Sequence, residues 1–218
     1  MELLDAVLEA GPKPPYTATR AEMKNYAQTL SSHVAISVAD GLRRHGLDNC
    51  FPDKEGRGED RAFLGSIGAK KVDVHFSTEN GGLMLGVSIK TINYIPTSNL
   101  ANRCGDLMFE SVTLHGRFPF AVLGALLILD SKALSDGNDR RQSTFDQANT
   151  KLKLYSGRRY YSESIEKFEA ISIGIYDVSS STQYFRLFEV GNQPREIAEN
   201  EFYSRLADLT KQRNPKHF

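Results

Sequence analysis

Apolar residues recur at steps of three and four along residues 21–44, where Met23, Tyr26, Ala27, Leu30, Val34, Val38 and Leu42 share one stripe. That period predicts an amphipathic helix, with Gly46 as its stop. A polar, charged loop follows at 48–61. The runs 71–76 and 83–90 then read as strands, and Glu79-Asn80-Gly81-Gly82 between them carries the Asn-Gly signal of a tight hairpin. A helix is expected over 99–115. Pro119 opens a solid apolar run at 120–129, the pattern of a strand buried on both faces. A helix over 144–155 comes next, with Gly157 past its end. Strands follow at 169–176 and 184–190, and a last helix over 195–211 has Pro194 in its first turn. Gly11-Pro12-Lys13-Pro14-Pro15 breaks any early helix. Residues 1–20 are therefore expected to form an N-terminal arm, and 212–218 a loose basic tail. The order predicts one α/β (α+β) domain over residues 1–218, a mixed sheet flanked by helices.

Composition narrows the classes. Charged residues make up 25% of the 218, an ordinary globular share that excludes disorder for most of the chain. Lys+Arg 27 balances Asp+Glu 27, so no global field draws the protein to nucleic acid, and any such contact must come from local patches. Cys50 and Cys104 build neither a disulfide framework nor a metal knuckle, and read as reduced thiols. The five histidines form no helical pair, so no zinc site is expected. Residues 1–15 lack a signal-peptide pattern, and the apolar run at 118–129 is too short to span a bilayer. A soluble, cytoplasmic protein is the expectation.

The hairpin permits a geometric argument. With Asn80-Gly81 as the turn, Asp73 stands opposite Ser88; with Gly81-Gly82, it stands opposite Lys90. In both registers Asp73, Ser88 and Lys90 share one face. Val72, Val74, Val87 and Ile89 then point to the other. An acid, a hydroxyl and a lysine together suit metal-assisted phosphodiester cleavage. The carboxylate holds Mg²⁺ through hard oxygens, and the lysine positions or activates the attacking water. The same spacing also fits a salt bridge on an exposed hairpin.

Asp73 followed by Ser88-Ile89-Lys90 resembles the PD-(D/E)xK nuclease superfamily. Val72 replaces the usual proline, and Ser88 replaces the usual second acid. In one subgroup of restriction enzymes the motif reads (S/T)xK, and the missing acid comes from the following helix. Here that helix carries Asp106 and Glu110. Gly56-Arg57-Gly58, Lys70-Lys71, Asn102-Arg103 and residues 110–115 extend the resemblance over the middle third of the chain. It implies a restriction-endonuclease-like fold with catalytic Asp73, Ser88, Lys90 and Glu110. The metal ligands would be Asp73 with Glu110 or Asp106. Glu22 in the first long helix is a third candidate, because the superfamily often takes an acid from there. Glu110 also stands out by position, on the stripe of Leu107 and Leu114, where a solvated carboxylate does not belong.

The implied cofactor is Mg²⁺, with Mn²⁺ as substitute. The implied partners are double-stranded DNA, a second copy of the chain, and a cognate methyltransferase in a phage-defence system. The basic groups available for phosphates are Lys54, Arg57 and Arg61, Lys70 and Lys71, Arg103, Arg140 and Arg141, and Arg158 and Arg159. Arg140-Arg141-Gln142-Ser143 is the segment suited to base edges. The rival reading is a catalytically inactive DNA-binding module on the same scaffold.

Overall fold

Leucine, isoleucine and valine on both parities of one strand require cover on two sides, and the sheet is built around such a strand. The computed structural model describes residues 1–94, 99–179 and 181–218. Its helices are α1 (Leu3–Glu9), α2 (Arg20–Arg44), α3 (Leu100–His115), α4 (Thr144–Leu152) and α5 (Glu199–Arg213). Its strands are β1 (Arg61–Leu64), β2 (Ala69–Val72), β3 (Val74–Thr78), β4 (Gly82–Ile92), β5 (Val122–Asp130), β6 (Ala170–Asp177), β7 (Tyr184–Glu189) and β8 (Arg195–Ile197). Strands β3 to β8 form a six-stranded sheet in chain order. The inner pairs β4–β5 and β5–β6 are parallel and the outer pairs antiparallel. From β5, Val122, Leu126 and Ile128 pack with residues of α1, α2 and α5, while Leu123, Ala125, Leu127 and Leu129 pack with residues of α3 and α4. The two-sided burial expected from the apolar run is the observed one.

The run 71–76 is not one strand. It divides at Asp73. Residues before the bend pair with β1 in a separate two-stranded sheet, and residues after it enter the large sheet. Val72 consequently packs on the α3 side with Leu83 and Leu107, whereas Val74, Val87 and Ile89 face α2. This corrects the expectation that all four share a face. Near the turn Ser77 pairs with Leu83, but Phe76 pairs with Leu85, leaving Met84 as a bulge. Continued past Val74↔Val87, that register sets Asp73 opposite Ser88.

Three boundaries differ from expectation. The arm contains α1, whose Leu3, Ala6 and Val7 are fully buried; the chain breaks only after it, where Gly11 takes φ +82. The last helix starts at Glu199 because residues 195–197 pair with β7, and the Ala198 amide is capped by Glu201 at 3.2 Å. The tail is a short 3₁₀ turn, Pro215–His217, and Phe218 stacks on Phe76 with centroids 5.5 Å apart.

Helix α2 crosses α5 at Gly41. A Cβ there would lie 2.4 Å from Tyr203 Cε2, and Tyr203 is fully buried. Alanine raises helix propensity by about 1 kcal/mol over glycine, but overpacking costs about 1–3 kcal/mol. Gly41→Ala is expected to lower the urea midpoint. An unchanged midpoint would mean that the Tyr203 ring gives way freely.

Candidate active site

The parity of β4 sends Ser88 and Lys90 toward α3, and the helical stripe of Leu107 and Leu114 sends Glu110 back toward β4. They meet. The Ser88 hydroxyl donates to Glu110 Oε2. Lys90 Nζ lies 2.9 Å from Glu110 Oε1, and Lys70 Nζ, reaching over from β2, lies 3.1 Å from the same oxygen. Glu110 is 3% exposed. A carboxylate that buried is costly unless paired, and two ammonium groups supply the charge. Lys70 also lies over the Phe109 ring, 5.5 Å from its centroid.

Asp73 is held by a different device. Because the strand bends away at this residue, the Ile89 amide is left without a β3 ladder partner, and the Asp73 carboxylate takes that place. Ile89 N–H donates to Asp73 Oδ2 at 2.6 Å. Burial pushes the Asp73 carboxyl up to about 6; the Lys90 charge and the Ile89 amide oppose that rise, and the Glu110 charge adds to it. Burial alone would lower the Lys90 pKa, but the charges of Glu110 and Asp73 outweigh it and hold the group above the ordinary lysine value. Lys90 is therefore an ammonium at neutral pH. It can donate to an oxygen, and it cannot abstract a proton from water.

Among the described residues, no three His, Cys, Asp or Glu side chains converge into a metal cage. Mg²⁺ does not need one, since it binds through one or two carboxylates and keeps several waters. Asp73 could serve in that way: it is a half-buried carboxylate within electrostatic reach of Glu110. Asp73 and Glu110 are the carboxylates that could hold such an ion, Glu110 only by giving up a contact to Ser88, Lys70 or Lys90.

The chain matches no family model, no curated protein and no solved structure. Among the described residues, no helix is long and apolar enough to cross a membrane.

The other predicted residues do not all gather here. Asp106 lies on the exposed side of α3 and contacts Arg103 at 3.4 Å. Glu22 is exposed and caps α2, accepting from the Thr19 amide at 2.8 Å. Neither is brought to Glu110. Arg57 is paired with Asp53 and Glu55 inside its own loop. Lys71 is exposed and 3.3 Å from Asp60. Arg141 closes its loop onto Asp136 at 2.8 Å, so it is a structural residue, while its neighbour Arg140 is exposed and makes no ion pair among the described residues. Arg158 is not a surface cation at all: it is fully buried against Glu169. The contact of Lys70 with Glu110 was missed in the sequence. Its alternation with Lys71 was the available signal, since one of two adjacent strand residues must face inward.

The raised pKa of Asp73 has a consequence for the metal-free protein. Its folded value of about 6 exceeds the ordinary 3.8. Between those values the folded chain keeps a proton that the unfolded chain has lost, so stability falls as pH rises through that window and stays lower above it. Asp73→Asn removes the effect and keeps an acceptor for Ile89. The variant is expected to be more stable by about 2–3 kcal/mol at pH 7, and equal to wild type at pH 3. Urea titrations at both pH values check this. A variant weaker than wild type at pH 7 would mean that attraction to Lys90 outweighs dehydration.

Proposed function

We propose that this protein is a metal-dependent DNA endonuclease of the PD-(D/E)xK type, with its second acid moved from strand to helix. The observation that carries the proposal is the delivery of Glu110 from α3 onto the Ser88 hydroxyl and the Lys90 ammonium. A salt bridge on an exposed hairpin would not need a buried carboxylate from another element. The mixed sheet, with parallel β4–β5 at the site and helices on both faces, is of the general α/β class that this reading requires.

In this reading Asp73 and Glu110 hold Mg²⁺ or Mn²⁺. When bound, such an ion lowers the pKa of a water and offsets phosphate charge. Ser88 fixes the orientation of the Glu110 carboxylate. Lys90 donates to the attacking or the non-bridging oxygen, stabilising charge as it develops. Lys70 stays on Glu110 Oε1 when Lys90 turns to substrate. Cutting both strands of a duplex needs two such sites, so the chain acts as a homodimer. A role in phage defence beside a cognate methyltransferase completes the proposal.

One observation favours the second reading, an inactive DNA-binding module. Both Glu110 oxygens already accept from donors of the chain. Unmethylated mixed-sequence DNA, incubated with Mg²⁺ or Mn²⁺, separates the two. Wild type is expected to give discrete fragments, and Asp73→Ala and Lys90→Ala to cut at least ~100-fold more slowly. DNA that is bound but intact in every lane would select the second reading.

A further inference from the structure

Just past the end of β4 lies a groove of about 470 Å³. The first turns of α2 line it with Arg20 and Lys24, α3 with Arg103, and the chain at the end of β4 with Thr91 and Asn93. Among the described residues no acidic side chain lines it. Arg20 and Lys24 are exposed and make no ion pair among the described residues. Asn93 is 4% exposed; its Oδ1 accepts from the Tyr176 hydroxyl at 3.2 Å, while its Nδ2, sealed beneath the groove, has no partner among the described residues and reaches a ligand only if the side chain turns outward. A buried donor left unpaired is costly, and native chains rarely leave one so. Arg103 shares its charge with Asp106 at 3.4 Å; the two remaining cations, Arg20 and Lys24, and the unpaired amide donor call for a ligand that only accepts hydrogen bonds and carries negative charge.

Three residues of extended chain separate Asn93 from Lys90, about 10 Å at ~3.3 Å per residue. That is too far to share one phosphate and suits a neighbour along a strand. Arg103 links the two places through α3: it lines the groove, and Glu110 of the candidate active site stands on the same helix. We propose that the groove is a second phosphate subsite, holding a backbone phosphate of the DNA strand a few nucleotides from the one that is cut. The inference rests on the nuclease reading and adds the anchor that sets strand position.

The test is binding without divalent metal, which needs no turnover. A labelled duplex is titrated across a range of salt with the full-length wild type, Arg20→Ala/Lys24→Ala, and Asn93→Asp. The aspartate keeps an acceptor for Tyr176 and replaces the donor with a negative charge. Both variants are expected to bind at least ~5-fold more weakly, and the slope of log affinity against log salt is expected to fall by about 2 for the double variant. Both double-variant positions are exposed, so its unfolding midpoint should not move. Affinity and slope equal to wild type would overturn the subsite. So would inorganic phosphate filling the groove, followed by the Asn93 side-chain amide in NMR, if duplex DNA fails to displace it. Weakened binding by the variants of a protein that never cuts would keep the subsite and end the nuclease reading. A wild type without duplex affinity would end both.

Discussion

Glu169→Ala is expected to cost about 3–5 kcal/mol of folding free energy, a large share of the 5–15 kcal/mol of a typical domain. Glu169 is fully buried at the junction of β5, β6, α3 and α5. Its Oε1 accepts from Arg158 at 2.9 Å and Arg213 at 2.5 Å, and its Oε2 from the Leu123 amide at 2.6 Å. Burial would raise its pKa, but the hydrogen bond and charge of His115, the charge of Arg213 and the Leu123 amide hold it below the ordinary glutamate value. Alanine would strand a fully buried Arg158 and a nearly buried Arg213. Glu169→Gln keeps the volume and one acceptor oxygen, though its NH2 then faces a donor, and it should lose less than alanine. Urea unfolding of both variants checks the order, and a loss under 1 kcal/mol for alanine would mean that water enters and solvates the two guanidinium groups.

If the protein is the nuclease proposed above, Glu110→Gln is expected to slow cleavage ~100-fold or more, because the amide supplies one neutral oxygen where a carboxylate met Ser88, Lys70 and Lys90. Asp106→Asn, one turn away on the exposed side of α3, should cut at the wild-type rate. The two substitutions have the same chemistry and differ only in where the helix points them. Equal losses would refute the assignment of the second acid, and no loss at Glu110 would remove it from the site. Unfolding midpoints measured alongside separate a dead site from a damaged fold, since two lysines lose their counter-charge.

The candidate site was legible where period decides geometry. Glu110 could be placed inward because it falls on a leucine stripe, and Asp73, Ser88 and Lys90 could be grouped because a hairpin register has few options. β5 announced itself by being apolar on both parities. The division of the run 71–76 was hidden, since alternation is the same whether a strand stays in one sheet or passes into another. α1 and β8 are too short to leave a period. Arg158 looked like a surface cation because its partner, Glu169, is brought to it by the fold and not by spacing. The groove at Asn93 was likewise invisible: Arg20, Lys24 and Arg103 lie on two helices far apart in the chain.

The bend at Asp73 places a demand on that position before any chemistry is considered. The Ile89 amide needs an acceptor carried on a side chain of one particular length. Aspartate and asparagine supply it; alanine leaves the amide bare, and glutamate overshoots by a methylene. Tolerance at residue 73 should therefore follow hydrogen-bond reach for folding and, on the proposed nuclease reading, negative charge for turnover, and the two scales part company at asparagine.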